Sequence, residues 1–376
     1  MSDTQKHTKP NVPNLRFPGF EGEWESRRIG EDCAVNMCKR IFANQTSEQG
    51  DVPFFKIGTI GGTPDAYISR DLFEEYKAKY NYPRKGEVMI TCAGTVGKTI
   101  VFDGEDAYFQ DSNIVWLSNQ KQLYINPFLN YVLSRVNWNK LNSTTITRIY
   151  NDNLRELVIN YPSIKEQEKI VALLSLLDQR ILTQNKVIEK YESLIKALRH
   201  HLFSTLEPVK EVSFADVLSY EQPTKYIVSD TEYSDDKDLT PVLTANKAFI
   251  LGYTEETKGV YDKGPCIILD DFTLDTKIVD FPFKVKSSAI KILSAKTSVR
   301  LRYIYEYLKF LDLNTEEHKR HYIAEIEPMT IELPEEGAIQ SIAYLFDLMD
   351  QRRKGLERDL NLLKAQKDYL LRAIFI

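Results

Sequence analysis

Between Pro162 and Phe203 apolar residues recur on alternating steps of four and three: Ile170, Leu174, Leu177, Ile181, Ile188, Tyr191, Ile195, Leu198 and Leu202, with Gln184 the one polar interruption. A heptad stripe held over more than four repeats belongs to a helix that buries one narrow seam against a partner helix. At 1.5 Å per residue such a helix would be roughly 55–60 Å long, more than a compact domain needs. The chain supplies the partner itself. Adding 172 to seven of these nine numbers lands on Ile342, Phe346, Met349, Leu360, Leu363, Leu370 and Ile374 in a second stretch that runs to residue 376, while Ile181 and Ile195 are exchanged for Arg353 and Lys367.

The rest of the chain falls into two blocks of similar plan. Residues 1–14 are polar and read as a disordered tail. Residues 15–161 contain short β-type runs (VPFFKIGTI, GEVMITCAG, GKTIVF, SNIVWLS) separated by Gly, Asp and Asn. Two amphipathic helices interrupt them, RDLFEEYKAKY and NPFLNYVLSRV, the second with Pro127 placed for a first turn. Residues 207–333 repeat the theme with TPVLTANKAFILGYT, GPCIILDDF and SSAIKILS, followed by the helix SVRLRYIYEYLKFL. The repeat extends to single residues. Lys85-Gly86 returns as Lys263-Gly264 and Ser112-Asn113-Ile114 as Ser288-Ala289-Ile290; from Leu141 onward the offset of 172 is strict, so that Arg148 matches Arg320 and Asp178 matches Asp350. These observations predict an α+β protein: two β-rich domains (15–161 and 207–333) separated by two long coiled-coil helices (162–206 and 334–376), in a pseudo-twofold internal repeat. Only Glu207 and Pro208 follow the first helix before the second block begins, so the second helix buries its seam by running back antiparallel along the first.

Composition narrows the function. With 43% hydrophobic and 27% charged residues, the 376-residue chain is a globular protein of two or three domains. No run of apolar residues is long enough for a membrane span, and no secretory signal opens the sequence. Cys33, Cys38, Cys92 and Cys266 are scattered, without a CxxC or nearby histidine pair, and read as reduced thiols in a cytoplasmic protein with no metal site.

No constellation predicts catalysis. Gly94-Thr95-Val96-Gly97-Lys98-Thr99 has the outline of a phosphate-binding loop, but Cys92 occupies the position of its first glycine and a strand-like IVF follows where a helix should start. Pro64-Asp65 with Glu75-Tyr76-Lys77 resembles a nuclease metal site, but its Glu-x-Lys lies on a helix, which cannot aim both side chains inward as a strand does. The glycine-rich loop and Asn/Asp-Pro-Pro-aromatic motif of adenine methyl transfer are absent from the sequence, and the five histidines show no acid/base pairing.

What remains is a polar, β-rich surface suited to nucleic acid. Candidate contacts in the first block are Lys56, Thr59, Thr63, Arg70, Thr95, Lys98, Thr99, Thr145, Thr147 and Arg148. In the second they are Thr224, Lys225, Thr244, Asn246, Lys247, Lys277, Lys284, Lys286, Lys319 and Arg320. Arg, Lys and Asn on loops pair with base edges, while Thr holds phosphates. Arg148 and Arg320 stand out because the repeat puts both in the same turn. Charge gives no help: residues 1–161 carry 19 basic and 19 acidic side chains, residues 207–333 carry 16 and 23, and the whole chain is −5. A protein so poor in cations binds DNA weakly alone, and a partner must supply phosphate neutralisation.

The whole plan resembles the DNA-sequence specificity subunit of type I restriction–modification enzymes. Leu15-Arg16-Phe17-Pro18-Gly19-Phe20 with Gly22 and Trp24 looks like that family's N-terminal opening, and Gly94-Thr95-Val96-Gly97-Lys98 like a hairpin of its target-recognition domains. Pro162…Glu166-Gln167…Ile170…Leu177-Asp178 looks like the start of its first conserved helix; the second copy departs from it, with Ala338-Ile339 in place of Glu166-Gln167. The resemblance implies a non-catalytic subunit of a phage-defence system that reads a bipartite site in double-stranded DNA, one half per β-rich domain. It also implies partners: two methyltransferase subunits and two restriction (translocase/nuclease) subunits. S-adenosylmethionine, ATP and Mg are then expected on those partners, and no cofactor in this chain. The other reading open to the sequence is a coiled-coil protein-interaction adaptor without DNA binding.

Overall fold

The structure, a computed structural model, describes residues 11–138, 148–244, 249–296, 299–313, 315 and 319–376. The chain divides into two compact units, residues 1–183 with 360–376, and residues 184–359. Each long helix is therefore shared between them, a partition that a linear list of domains does not anticipate.

In the first unit, β1 (Glu25–Arg28) leads through a single turn, α1 (Ile29–Asp32), into β2 (Cys33–Met37). Then come β3 (Val52–Phe55), β4 (Tyr67–Ile68) and α2 (Arg70–Lys79). The strands β5 (Val88–Thr91), β6 (Thr99–Val101), β7 (Tyr108–Phe109) and β8 (Ile114–Asn119) follow. The unit continues with α3 (Asn126–Ser134), α4 (Asn151–Glu156), β9 (Val158–Tyr161) and the long α5 (Ile164–Ser204). The strands make an antiparallel pair β1-β9, a four-stranded antiparallel sheet β2-β8-β5-β6 and a three-stranded sheet β4-β3-β7 whose β3-β7 pairing is parallel. Both helices expected here form: Ser69 caps α2 by accepting from the Leu72 amide, and Pro127 sits in the first turn of α3.

The second unit repeats that list. It runs β10 (Lys210–Ser213), α6 (Phe214–Val217), β11 (Leu218–Glu221), β12 (Thr240–Leu243) and β13 (Ile250–Thr254). Next are β14 (Cys266–Asp270), β15 (Thr276–Val279), β16 (Lys284–Val285) and β17 (Ile290–Ala295). It ends with α7 (Leu301–Phe310), a π turn at Tyr322–Ile326, β18 (Thr330–Leu333) and α8 (Glu336–Ile374). Its sheets are β10-β18, β11-β17-β14-β15 and β13-β12-β16, strand for strand the arrangement of the first unit. Gly86 and Gly264, the glycines of the repeated Lys-Gly pair, both adopt positive φ (89° and 91°) in the turn before β5 and β14, a conformation that favours glycine.

The seam forms as the heptads predict, within each unit. In the first, Ile170 and Leu174 pack with Ile374 and Phe375 in the domain core, with Leu370 against them; Lys367 pairs with Asp178. In the second, Tyr191, Ile195 and Leu198 lie against Ile342, Phe346 and Met349, and the Gln184 side chain donates to the Leu356 carbonyl at 2.9 Å. Partners that fall in number on α8 as they rise on α5 (Gln184 with Leu356, Arg199 over Phe346) make the pairing antiparallel. Leu177 and Leu360 are buried, while Ile181, Ile188 and Leu363 are half-buried.

One expectation needs correction. Residues 11–14 are tied down rather than part of a tail: the Trp24 amide donates to the Asn11 carbonyl at 2.7 Å and Asn11 Nδ2 to Ser26 Oγ at 2.8 Å.

Candidate nucleic-acid interface

In the first unit three loops meet. The turn after β3 is wound around the Lys56 carbonyl, which accepts from the amides of Thr59 (3.0 Å) and Ile60 (2.9 Å). Lys98, from the β5–β6 hairpin, reaches across and donates its Nζ to the Ile60 carbonyl at 2.5 Å. The loop before β8 joins from below: the Cys92 amide donates to Asn113, and the Ile149 amide returns to Cys92. Lys56, Thr59, Thr95, Lys98 and Thr99 thus share one surface, with Thr63 exposed in the same turn. Arg148 adjoins it, its guanidinium 3.5 Å from the carbonyl and hydroxyl oxygens of Ser112 and 6.0 Å from the Tyr150 ring centre. Arg70 instead pairs with Asp106 across the 102–107 loop. Thr145 and Thr147 lie outside the described residues.

The same hairpin explains why its glycines do not cradle a phosphate. A Cβ on Gly97 would sit 2.0 Å from Trp138 Cδ1, and one on Gly94 2.7 Å from Ile57 Cδ1. Those glycines let the loop pack against its own domain. The amides that would wrap a phosphate are spent: Gly97 donates to the Thr91 carbonyl, Lys98 to Thr91 Oγ1 and Val96 to the Gly94 carbonyl. Burial pushes the Cys92 thiol up to about 12 against the pull of Arg148, so it stays protonated. The nuclease-like residues do not converge either, since Asp65 pairs with Lys56 and Glu75 with Lys79 while Lys77 turns to Asp106.

The second unit builds the equivalent surface with different chemistry. Arg320 reaches Ser288 Oγ at 3.4 Å, reproducing the Arg148–Ser112 contact between residues that the repeat equates. Lys319, exposed beside it, pairs with Glu325 at 2.9 Å. Lys277 covers the Phe249 ring at 4.5 Å. Lys286 is exposed, and its amide donates to the Leu243 carbonyl at 2.9 Å. Thr224 and Lys225 are exposed on a short turn. There Lys225 and Lys263 share Glu221; burial raises the Glu221 pKa, but their hydrogen bonds and that of Tyr226 prevail and hold it down to about 2. Asn246 and Lys247 lie outside the described residues.

Two candidates are misplaced. Lys284 is only 3% exposed, its ammonium bound to the Lys258 carbonyl and Glu256 at 2.6 Å each. It pairs with Val242 in β12 as Tyr108 pairs with Phe54 in β3, and like Tyr108 it is buried although its strand is an edge of the three-stranded sheet. Thr244 is also buried, its amide closing onto Phe249. Both are withdrawn from the surface that DNA would touch.

Residues missed by sequence reasoning anchor each surface to its helix. Glu166, at the start of α5, takes a two-pronged ion pair from Arg16, with both N···O distances 2.8 Å. Gln167 beside it accepts from the Ile125 amide and donates to the carbonyls of Leu123 and Pro162, each at 2.9 Å. The motifs Leu15-Arg16-Phe17 and Glu166-Gln167, far apart in sequence, therefore touch. In the second unit Ile339 is buried in the core where Gln167 stands in the first, and Arg199 from α5 pairs with the buried Glu306 of α7 at 2.8 Å.

Residues 21–192 match the family described as type I restriction modification DNA specificity domain. Residues 21–192 therefore carry a type I restriction–modification DNA specificity domain, and the curated relatives that the chain resembles are named as type I specificity subunits. It is 51% identical over 146 residues to a Haemophilus influenzae protein named as a type I restriction enzyme specificity subunit, covering 39% of this chain and 38% of that one. It is 40% identical over 174 residues to the Escherichia coli type I restriction enzyme EcoR124I/EcoR124II specificity subunit, 43% of each. The match thus spans less than half the length of these relatives. At the level of fold the likeness covers nearly everything: a crystal structure of the S subunit from M. genitalium superposes with a TM-score of 0.61 over 97% of this chain and 99% of that one, at 18% identity. No helix among the described residues is long and apolar enough to cross a membrane.

Proposed function

We propose that this chain is the DNA-reading subunit of a type I restriction–modification complex and performs no chemistry of its own. Each β-rich domain reads one half of a split sequence in double-stranded DNA, and the two long helices set the unread gap. The outward faces of those helices dock two methyltransferase subunits and, through them, two restriction subunits; Leu176 on α5 and its repeat partner Leu348 on α8 are both exposed there. S-adenosylmethionine, ATP and Mg act on those partners, and the complex works in the cytoplasm. The observation that carries the reading is the loop surface built twice, with Arg148 on Ser112 in one domain and Arg320 on Ser288 in the other. Two equivalent surfaces with unlike side chains are what reading two unlike half-sites requires. The absence of net positive charge from both blocks, neutral in the first and acidic in the second, fits a subunit whose partners supply the phosphate contacts.

The test is to map methylated adenines in the genome of cells that carry this chain with its partner subunits. A single motif with two specified halves and an unspecified gap is expected. A continuous motif, or modification independent of this chain, would refute the reading.

A further inference from the structure

Beneath the second surface lies a buried polar network that the first unit lacks. Asp271 Oδ1 accepts from the amides of His321 (3.1 Å) and Tyr322 (2.8 Å), and Oδ2 lies 3.1 Å from Lys291 Nζ. Asp271 and Lys291 are 1% and 3% exposed. Lys291 also reaches the Tyr220 hydroxyl at 3.2 Å, and the His321 ring meets Glu325 at 2.7 Å.

Strand register identifies the equivalents in the first unit. Leu293 pairs with Ile267 and Tyr220 as Leu117 pairs with Val88 and Val35. Counting from those pairs, Asp271 stands at Cys92, Lys291 at Val115 and Tyr220 at Val35. His321 stands at Ile149: its amide donates to the Asp271 carbonyl as that of Ile149 does to Cys92. The same scaffold therefore folds with an apolar cluster at these positions. Burying a charge pair costs desolvation that an apolar set avoids, so stability of the fold does not account for it. What the charges add is local. In the first unit the returning segment is tied to Cys92 at one amide, that of Ile149, by a carbonyl. In the second the Asp271 carboxylate adds further bonds to two successive amides, immediately after Arg320.

We propose that Asp271, balanced by Lys291, is a positioning residue that fixes Arg320 over the second recognition surface, so that the fidelity of the second half-site depends on this pair. The proposal rests on the reading that Arg320 touches DNA.

The test uses the full chain with its methyltransferase partners and two readouts: amide hydrogen exchange at His321 and Tyr322, and the methylated motif. Asp271→Asn removes the charge and keeps an acceptor; Lys291→Met leaves the carboxylate without its counter-charge; the double variant is neutral throughout. Each single change should speed exchange at the two amides by about tenfold or more and broaden the second half-site, leaving the first half-site as before. The double variant should recover part of both. Loss of fold would instead abolish modification at both halves, and the double variant would then decide. Unchanged exchange overturns the proposal, and so does faster exchange with an unchanged second half-site. Arg320→Ala separates the two ideas: if it leaves the motif intact the underlying reading falls, whereas if it relaxes the second half while Asp271→Asn does not, only the positioning role falls.

Discussion

Arg148 and Arg320 show what a repeated residue can and cannot reveal. Their equivalence was legible from the offset of 172, and the structure gives them equivalent serine partners. Their surroundings were not legible, because those are set by residues distant in sequence. Lys284 makes the same point in reverse: in FPFKVKSS it reads as a solvated strand residue, and only the folded chain shows it to be buried. A lysine there is tolerated because Glu256 and a carbonyl satisfy its ammonium. At this scale the expected outcome is that Arg148→Ala weakens or relaxes one half-site by about 1–3 kcal/mol and Arg320→Ala the other. Methylation kinetics on singly altered sites would measure it, and loss of both halves from one change would count against two independent readers.

Among elements, the long helices were the most legible part, since their apolar period speaks directly of a seam. Sequence also indicated α2, α3 and most central strands. It gave no sign of β1 and β10, whose partners β9 and β18 lie more than a hundred residues away, nor of the single turns α1 and α6. The junction of domain and helix was half visible: Glu166-Gln167 and the segment holding Arg16 were each recognisable as motifs, but their contact was not. Because Glu166 is almost wholly buried and its pair with Arg16 is two-pronged, Glu166→Ala should destabilise the first unit by about 1.5–3 kcal/mol, the loss of charge-assisted hydrogen bonds, while Arg16 keeps the carbonyls of Glu21 and Gly22. Urea unfolding would show it as a lower midpoint. Glu166→Gln, which keeps an acceptor for Arg16, should lose less.

For the whole molecule, the sequence predicted two similar domains on two helices, and each unit has that content. It could not predict that each compact unit takes part of both helices. The proposed function makes the helices a measure of the gap between half-sites. Inserting one heptad into α5 and one into α8 preserves the seam and adds roughly 10 Å, about three base pairs of duplex. The methylated motif should keep both halves and gain that many unread positions; an unchanged gap would remove the helices from that role.

The polar network under the second surface also bears on how such a chain can be inherited. Its members run from Tyr220 to Glu325, so a recombination event that joined the two copies anywhere within that interval would carry across some members without the others. A hybrid receiving Asp271 but Val115 in place of Lys291 would bury a carboxylate without its counter-charge and, on the proposal above, read that half-site loosely. Crossovers within α5 or α8 leave the network whole. Hybrids that read both half-sites tightly should therefore exchange their reading domains intact, with joints in the helices.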